Sequence, residues 1–407
     1  MIDNYLWDSS YHTSQRLVKS NLQLGKPRLK NKVAEMIAKG IQITDLSGYI
    51  VEKPYGYIKS PPEYVFSAVK EALESGWPEP ELRGIPSLRG TIAKLESRKG
   101  IDTDPDTEIL VTGGGAMQGI YNVLQAILDP GDETLVFAPS LAYDEQVKLA
   151  GGRPVYVELE ENSGYKLNAS DIKKAITPRT KVMILNTPHN PTGHVASREE
   201  LEEIAEIVKQ SNLIVISDEV VWKWLYDDRE HISFGSLDGM RDRTITVSSV
   251  TKSGMLDWRI GWVIATEGFI KNVEKLMFWQ NQFSPPLLQV AAEAHLKGLD
   301  EWIRPIVRDQ QKKRDLLYNG LISAGCRCFK PEGHLTAFPN ISAFHKSSVR
   351  FSEFLLEKAH VLVSPGIAYL GEGHIRVGFN QSAERVKEGV ENMGRVLRDF
   401  KSAFSHN

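Results

Sequence analysis

Lys252 stands in "SSVTKSGMLDWRIGW" (249–263), among hydroxyl residues, just after the apolar run "TITV" and shortly before Arg259. An amine at the end of a buried strand is costly unless it is paired or put to use. Hydroxyls beside an arginine, here Ser249 and Thr251 with Arg259, can grip a phosphate. A lysine among them with a depressed pKa can attack an aldehyde. A lone lysine at a strand end is more often a solvated surface residue, so the other strand ends have to decide between the two readings.

Three more strand ends carry chemistry. "TGGGAMQ" (112–118) follows the apolar run "EILV". Its glycines before a helix N-terminus expose backbone N–H groups to an anion, or simply make a tight turn. "TPHNPTG" follows "KVMILN" and sets Asn190 in a rigid turn, where it could bond a ligand oxygen or only the turn itself. Asp218 and Glu219 end "LIVIS". A carboxylate there needs a partner, either the cap of the next helix or a cationic ring nitrogen. Phosphate, phenolic oxygen, ring nitrogen and aldehyde are together what pyridoxal phosphate presents to a protein.

The elements that must position these residues are legible from periodicity. "EILVT", "ETLVFA", "PVYVEL", "KVMILN", "LIVISD", "TITVSS" and "RIGWVIA" read as buried strands. Helical segments alternate with them. In "SREELEEIAEIVKQ", Ser197 and Glu200 have the spacing of a capping box, and Leu201, Ile204, Ala205 and Val208 share a face. Continuous Val/Ile-rich strands between amphipathic helices predict an α/β fold whose large domain has a mostly parallel sheet flanked by helices. After "SPPLLQVAAEAHLKG" a charged helix, "DEWIRPIVRDQQKKRDLLYNGLISAG", leads to short strands, among them "CRCFK", "HLTAFPNI" and "HIRVGF", and to a last helix. This predicts a smaller α+β domain. The expected division is an N-terminal arm with part of the small domain over 1–60, the large domain over 61–290 and the small domain over 291–407.

The 407 residues suffice for two domains, with 41% apolar and 25% charged residues and a formal net charge of −3. No basic excess points to nucleic acid, and no apolar run approaches the ~18 residues of a membrane span. Cys326 and Cys328 make a poor metal site on their own. They read as reduced thiols of a cytoplasmic protein, with no metal centre expected.

The ordered set "VTGGGA", "NTPHNPTG", "ISDEV", "SSVTK", "DWRIGW" and "HIRVGF" resembles the class I/II aminotransferases, pyridoxal-phosphate enzymes of fold type I. The segment from Asp218 to Val247 looks most like the kynurenine/glutamine transaminase branch. "HLTAFPNIS" and "VLVSPGIAYLGEGHIRVGF" also resemble capreomycidine synthase. The resemblance implies that Lys252 bonds the cofactor aldehyde and moves the Cα proton, that Asp218 pairs with the ring nitrogen, and that Asn190 bonds the phenolic oxygen. It implies that Gly115, Ala116, Ser249 and Arg259 hold the phosphate. Arg376, Asn190 and Gly48 would meet the substrate and its carboxylate. The implied activity is transamination between an L-amino acid and a 2-oxo acid in a homodimer with composite sites. The alternative is the same cofactor turned to elimination, replacement, cyclisation or oxidation. Departures from the family's pattern raise that alternative. Val221 stands where a tyrosine is usual, Leu141 where an aromatic usually stacks, and Glu79 where a partner tyrosine is usual. Ser140, Leu141 and Tyr143 are the candidates to face the cofactor ring. Arg259 comes one residue early, and Asp257 stands where the family often has glycine. Trp77, Tyr49, Tyr55 and Tyr57 are candidates for a substrate pocket.

Overall fold

The computed structural model describes residues 26–48, 61–141, 143–254 and 258–404; Tyr49, Tyr55, Tyr57 and Asp257 lie outside them. Its strands in chain order are β1 (Thr44–Asp45), β2 (Ile109–Thr112), β3 (Glu133–Ala138), β4 (Arg153–Glu158), β5 (Thr180–Asn186), β6 (Ile214–Asp218), β7 (Thr244–Ser249) and β8 (Gly261–Ile264). The short strands β9 (Thr336–Ala337), β10 (Val361–Leu362), β11 (Ser364–Pro365) and β12 (Ile375–Gly378) follow.

Strands β2 to β8 form one sheet in the order β2-β8-β7-β6-β5-β3-β4. The pairs among β3 to β7 are parallel, and β8 runs antiparallel to both its neighbours. The apolar runs are continuous because both faces are covered. Successive side chains on a strand point to opposite faces, so Val215 packs with Leu201 and Ile204 of the helix Arg198–Ser211, while Ile216 packs with Ile120 and Val123 of the helix Gly115–Ile127. The capping box is formed: Ser197 Oγ accepts from Glu200 N at 3.2 Å, and the Glu200 carboxylate accepts from Ser197 N at 2.8 Å.

Near the C-terminus, β9, β11 and β12 make a three-stranded antiparallel sheet, and β1 pairs with β10. The core there joins Leu355, Val377 and Phe379 to Val390 and Leu397 of the final helix. One expectation fails locally. "CRCFK" is not a strand; it contributes a single bridge, Arg327 to Asn340, and Cys326 and Cys328 are in no disulfide.

A second difference is larger. The charged helix read from Asp300 onward starts earlier: it is one helix, Pro286–Ser323, with Pro305 inside it. Its first half buries Ala292, Leu296 and Ile303 in the core beside β2 and β8, and its second half buries Leu317 and Leu321 in the C-terminal core. A proline in a helix interior forfeits one hydrogen bond. Packing along both halves outweighs that loss. Among the described residues no helix is long and apolar enough to cross a membrane.

Candidate active site

The parallel strands β5, β6 and β7 end side by side, so the loops that follow them open onto the same edge of the sheet. Ligands in such sheets sit beyond the carboxyl ends of the strands. A cavity there is lined by Ala116, Asn190, Asp218, Ser249, Lys252 and Arg259, together with Val221, Leu141, Tyr143, Thr251 and His334. Six residues picked from the sequence thus meet in one place, although they come from five segments of the chain.

Lys252 lies in a single helical turn, Thr251–Ser253, directly after β7. The Trp224 indole N–H donates to its carbonyl at 2.7 Å and fixes that turn. Burial lowers the amine's pKa to about 8, helped by the charges of Arg376 and Arg259 and opposed by Asp218. A substantial neutral fraction of the amine is therefore present near neutral pH, as a nucleophile needs.

Asp218 ends β6 as a buried residue. It accepts from the Tyr143 hydroxyl at 2.6 Å and from Val220 N at 3.1 Å. Burial drives its carboxyl above the usual range, while these two donors pull it down. A cation placed against it would be strongly held. The neighbouring Glu219 faces away from the cavity into a closed set. Lys99 (2.9 Å) and His231 (3.0 Å) hold it low against the burial that would raise it. The two adjacent carboxylates are thus separated into a structural one and an available one.

Asn186, at the end of β5, ties two loops together. Its Nδ2 donates to the Asp218 carbonyl at 3.0 Å, and its Oδ1 accepts from Asn190 N at 2.9 Å. Asn190 Oδ1 in turn accepts from Arg376 Nη1 at 3.4 Å. Arg376 is a buried residue of β12, with Nη2 donating to Ser47 O at 3.0 Å and the guanidinium 4.5 Å from the Tyr369 ring centroid. Gly48 has φ +73°, and a Cβ there would come within 3.3 Å of Arg376 Nη2. The glycine lets the backbone lie against the guanidinium.

The phosphate question can be asked of the geometry. Gly115 opens the helix Gly115–Ile127 with φ +70°, and a Cβ on it would reach 3.1 Å from Arg259 Nη2 and 3.4 Å from Thr251 Oγ1. Arg259 Nη2 donates to Gly114 O at 2.6 Å. Although Arg259 comes one residue early and adopts φ +53°, its side chain still reaches this helix end. Thr251 Oγ1 is buried with no hydrogen-bond partner among the described residues. A buried hydroxyl left without a partner is costly. Helix N–H groups, a guanidinium and an unpaired hydroxyl around a small space suit a phosphate, so the donor set fits pyridoxal phosphate. Thr251→Val should weaken retention of that cofactor about tenfold, the effect of one charge-assisted hydrogen bond. An unchanged dissociation constant in a fluorescence titration would remove Thr251 from the grip.

The departures from the family's pattern also find places. Val221 is buried and offers only methyl groups to the cavity. Tyr143 does not stand in for the missing tyrosine there, because its hydroxyl is given to Asp218. Leu141 and Tyr143 are on the cavity wall, and Ser140 is not. Glu79 and Trp77 lie in an exposed stretch. Sequence reasoning missed Asn186, the Tyr143–Asp218 pair and His334. Of these, only Asn186 had a local signal, as a polar residue closing a buried strand.

Comparison with known proteins agrees with this geometry. The family model described as aminotransferase class I and II matches residues 65–393. An aspartate aminotransferase of Pyrococcus abyssi is 37% identical over 84% of this chain and 89% of its own length. An aromatic-amino-acid aminotransferase of Thermococcus litoralis is 34% identical over the same shares. In structure, the Thermus thermophilus aspartate aminotransferase with maleate superposes with a TM-score of 0.86 at 31% identity, covering 94% of this chain and 99% of that one. These likenesses favour transamination over the other outcomes open to the cofactor. They show the family and do not single out a branch within it. A cavity with an amine of lowered pKa, in a chain this similar to such enzymes, places the protein among the pyridoxal-phosphate-dependent class I and II aminotransferases.

Proposed function

We propose that this enzyme transfers the amino group of an L-amino acid to a 2-oxo acid in the cavity around Lys252, and that each site residue has a separate task. The observation that carries the reading is the convergence of an amine, a buried carboxylate, an amide and an arginine from β7, β6, the loop after β5 and β12. Pyridoxal phosphate, when bound, supplies the aldehyde for the substrate amine and the ring that stabilises charge at Cα. Lys252 holds that aldehyde and carries the proton to and from Cα. Asp218 would pair with the ring nitrogen, its two oxygens held by the Tyr143 hydroxyl and Val220 N. Arg376 takes the substrate carboxylate, for which a guanidinium gives two parallel hydrogen bonds. Asn190 lies beside both groups, and Gly115, Ala116, Ser249 and Arg259 surround the phosphate. A panel of L-amino acids and 2-oxo acids with products identified by mass tests the activity. Product mixtures without the matching 2-oxo acid would overturn it.

The lysine's titration gives a direct check. With its pKa lowered to about 8, the amine of the cofactor-free protein loses its proton as pH rises through that value. Its rate of capture of pyridoxal should therefore climb between about pH 7 and 9 and then level. Arg376→Gln removes a nearby positive charge, so the midpoint should move upward. A midpoint near the ordinary lysine value in the wild-type protein would contradict the assignment.

We also propose a homodimer with composite sites, in the cytoplasm. Exposed large apolar side chains gather in two stretches, Tyr64, Phe66, Leu73 and Trp77, and then Phe278, Trp279 and Phe283, with Met117 of the cavity wall exposed as well. Large apolar side chains exposed in such groups suit an association surface. Two cysteines in no disulfide suit a reducing compartment. A fully active monomer in sedimentation would refute the dimer.

A further inference from the structure

His334 is a buried residue on the cavity wall, next to Lys252, Asn190 and Val221 among the lining residues. It holds φ +67°, a conformation that non-glycine residues seldom adopt. Strained backbone persists where its surroundings over-determine it, and such positions cluster at functional sites. Here the constraint is visible. His334 N donates to Trp224 O at 2.9 Å, and the Tyr226 hydroxyl donates to His334 O at 2.6 Å. The residue is therefore anchored on both sides of its Cα.

The ring's hydrogen bond runs to Thr336. His334 Nδ1 lies 2.9 Å from Thr336 Oγ1, and Thr336 Oγ1 donates its single proton to Pro191 O at 3.2 Å. In this arrangement Thr336 Oγ1 accepts and Nδ1 carries the hydrogen, the assignment that the NMR measurement below tests. That leaves Nε2 with a lone pair. Among the described residues none donates to it. Burial, followed by the charges of Lys252 and Arg376 and by His189, keeps this imidazole's pKa well below the ordinary histidine value, so the ring stays neutral. The cavity therefore contains a rigidly held, uncharged acceptor a short way from the cationic groups that would bind the amino acid's common part.

We propose that His334 is a specificity-determining residue: its Nε2 accepts a hydrogen bond from a donor on the substrate side chain, a hydroxyl, an amide N–H or a cationic nitrogen. This rests on the reading of the cavity as an amino-acid site. A side chain ending in a methyl leaves Nε2 unpaired, and one ending in a carboxylate sets acceptor against acceptor. Sites that present a buried polar group to the substrate reject analogues unable to satisfy it.

The test uses pairs of matched shape. α-Methylserine and isovaline differ by hydroxyl against methyl and lack the Cα hydrogen, so their binding to the holoenzyme is read by cofactor absorbance without turnover. Asparagine against aspartate, and glutamine against glutamate, extend the series through kcat/KM. In the wild-type enzyme the donor-bearing member should be favoured by at least about tenfold in one or more pairs. His334→Phe keeps a ring without an acceptor and should abolish the preference. His334→Asn tolerates the left-handed backbone, carries an acceptor oxygen and should retain part of it. Nitrogen NMR of the wild-type protein should show the Nδ1–H tautomer, untitrated from pH 6 to 9, a readout that needs no turnover and no variant. Preference unchanged in His334→Phe, or a proton on Nε2, overturns the proposal. Equal losses for both members of every pair also overturn it, because they would indicate a purely structural role. A wild-type enzyme that turns over no L-amino acid overturns the proposed function, and this inference with it.

Discussion

Lys252→Ala should abolish turnover, with a fall of about 10⁴-fold or more, the upper range for one positioned proton-transfer group. The argument combines place and charge. The lysine is fixed in a tight turn after β7, its carbonyl is held by Trp224, and its pKa is lowered to about 8. Among the described residues lining the cavity no other carries a primary amine that could bond the cofactor's aldehyde. Borohydride reduction of the wild-type holoenzyme followed by peptide mapping should place the pyridoxyl group on Lys252. In Lys252→Ala the label should vanish while the cofactor still binds through its phosphate contacts. Label on another lysine, or a variant within tenfold of wild-type kcat, would end the assignment.

Arg376→Ala should cut kcat/KM for the amino acid by about 10²–10⁴-fold while changing that for the corresponding decarboxylated amine only a few-fold. Arg376 is buried, with its guanidinium held by Ser47 O, the Asn190 amide and the Tyr369 ring face. A carboxylate arriving there loses its water and gains a pre-set fork. Removing one side of a buried ion pair costs about 3–5 kcal/mol, and each 1.36 kcal/mol is tenfold in rate. The amine has no carboxylate to lose. Equal penalties for both ligands would mean that Arg376 supports the fold rather than the substrate.

How far the sequence reached depends on the range of the interaction involved. Parallel strands buried on both faces are continuous apolar runs, so β5, β6 and β7 were visible, and the loops after them followed. Lys252, Asp218 and Asn190 were legible because each directly follows such a run. Arg376 was read only by resemblance, since nothing local separates it from any arginine on a short strand. The early start of the helix Pro286–Ser323 was hidden by Gly298, which weakens a helix when local propensity decides and does not end it when two cores pack along the helix. The Tyr143–Asp218 bond joins residues 75 positions apart, and that contact exists only after the strands assemble. His334 depends on a left-handed backbone set by partners from another loop.

The anchor for the substrate's carboxylate sits on β12 of the three-stranded sheet, whereas the amine and the acid sit at the end of the seven-stranded one. The link between Arg376 and Asn190 spans 3.4 Å, which makes it a weak clasp across that seam. Catalysis therefore relies on the alignment of two sheets that contribute to different apolar cores. On warming, a shift between the two sheets needs the loss of the polar links that cross between them, such as His334 N to Trp224 O and the Tyr226 hydroxyl to His334 O, while melting either core needs the loss of its apolar packing as well. The enzyme should fall silent while its helices and strands remain intact, and on cooling it should recover activity without having to refold.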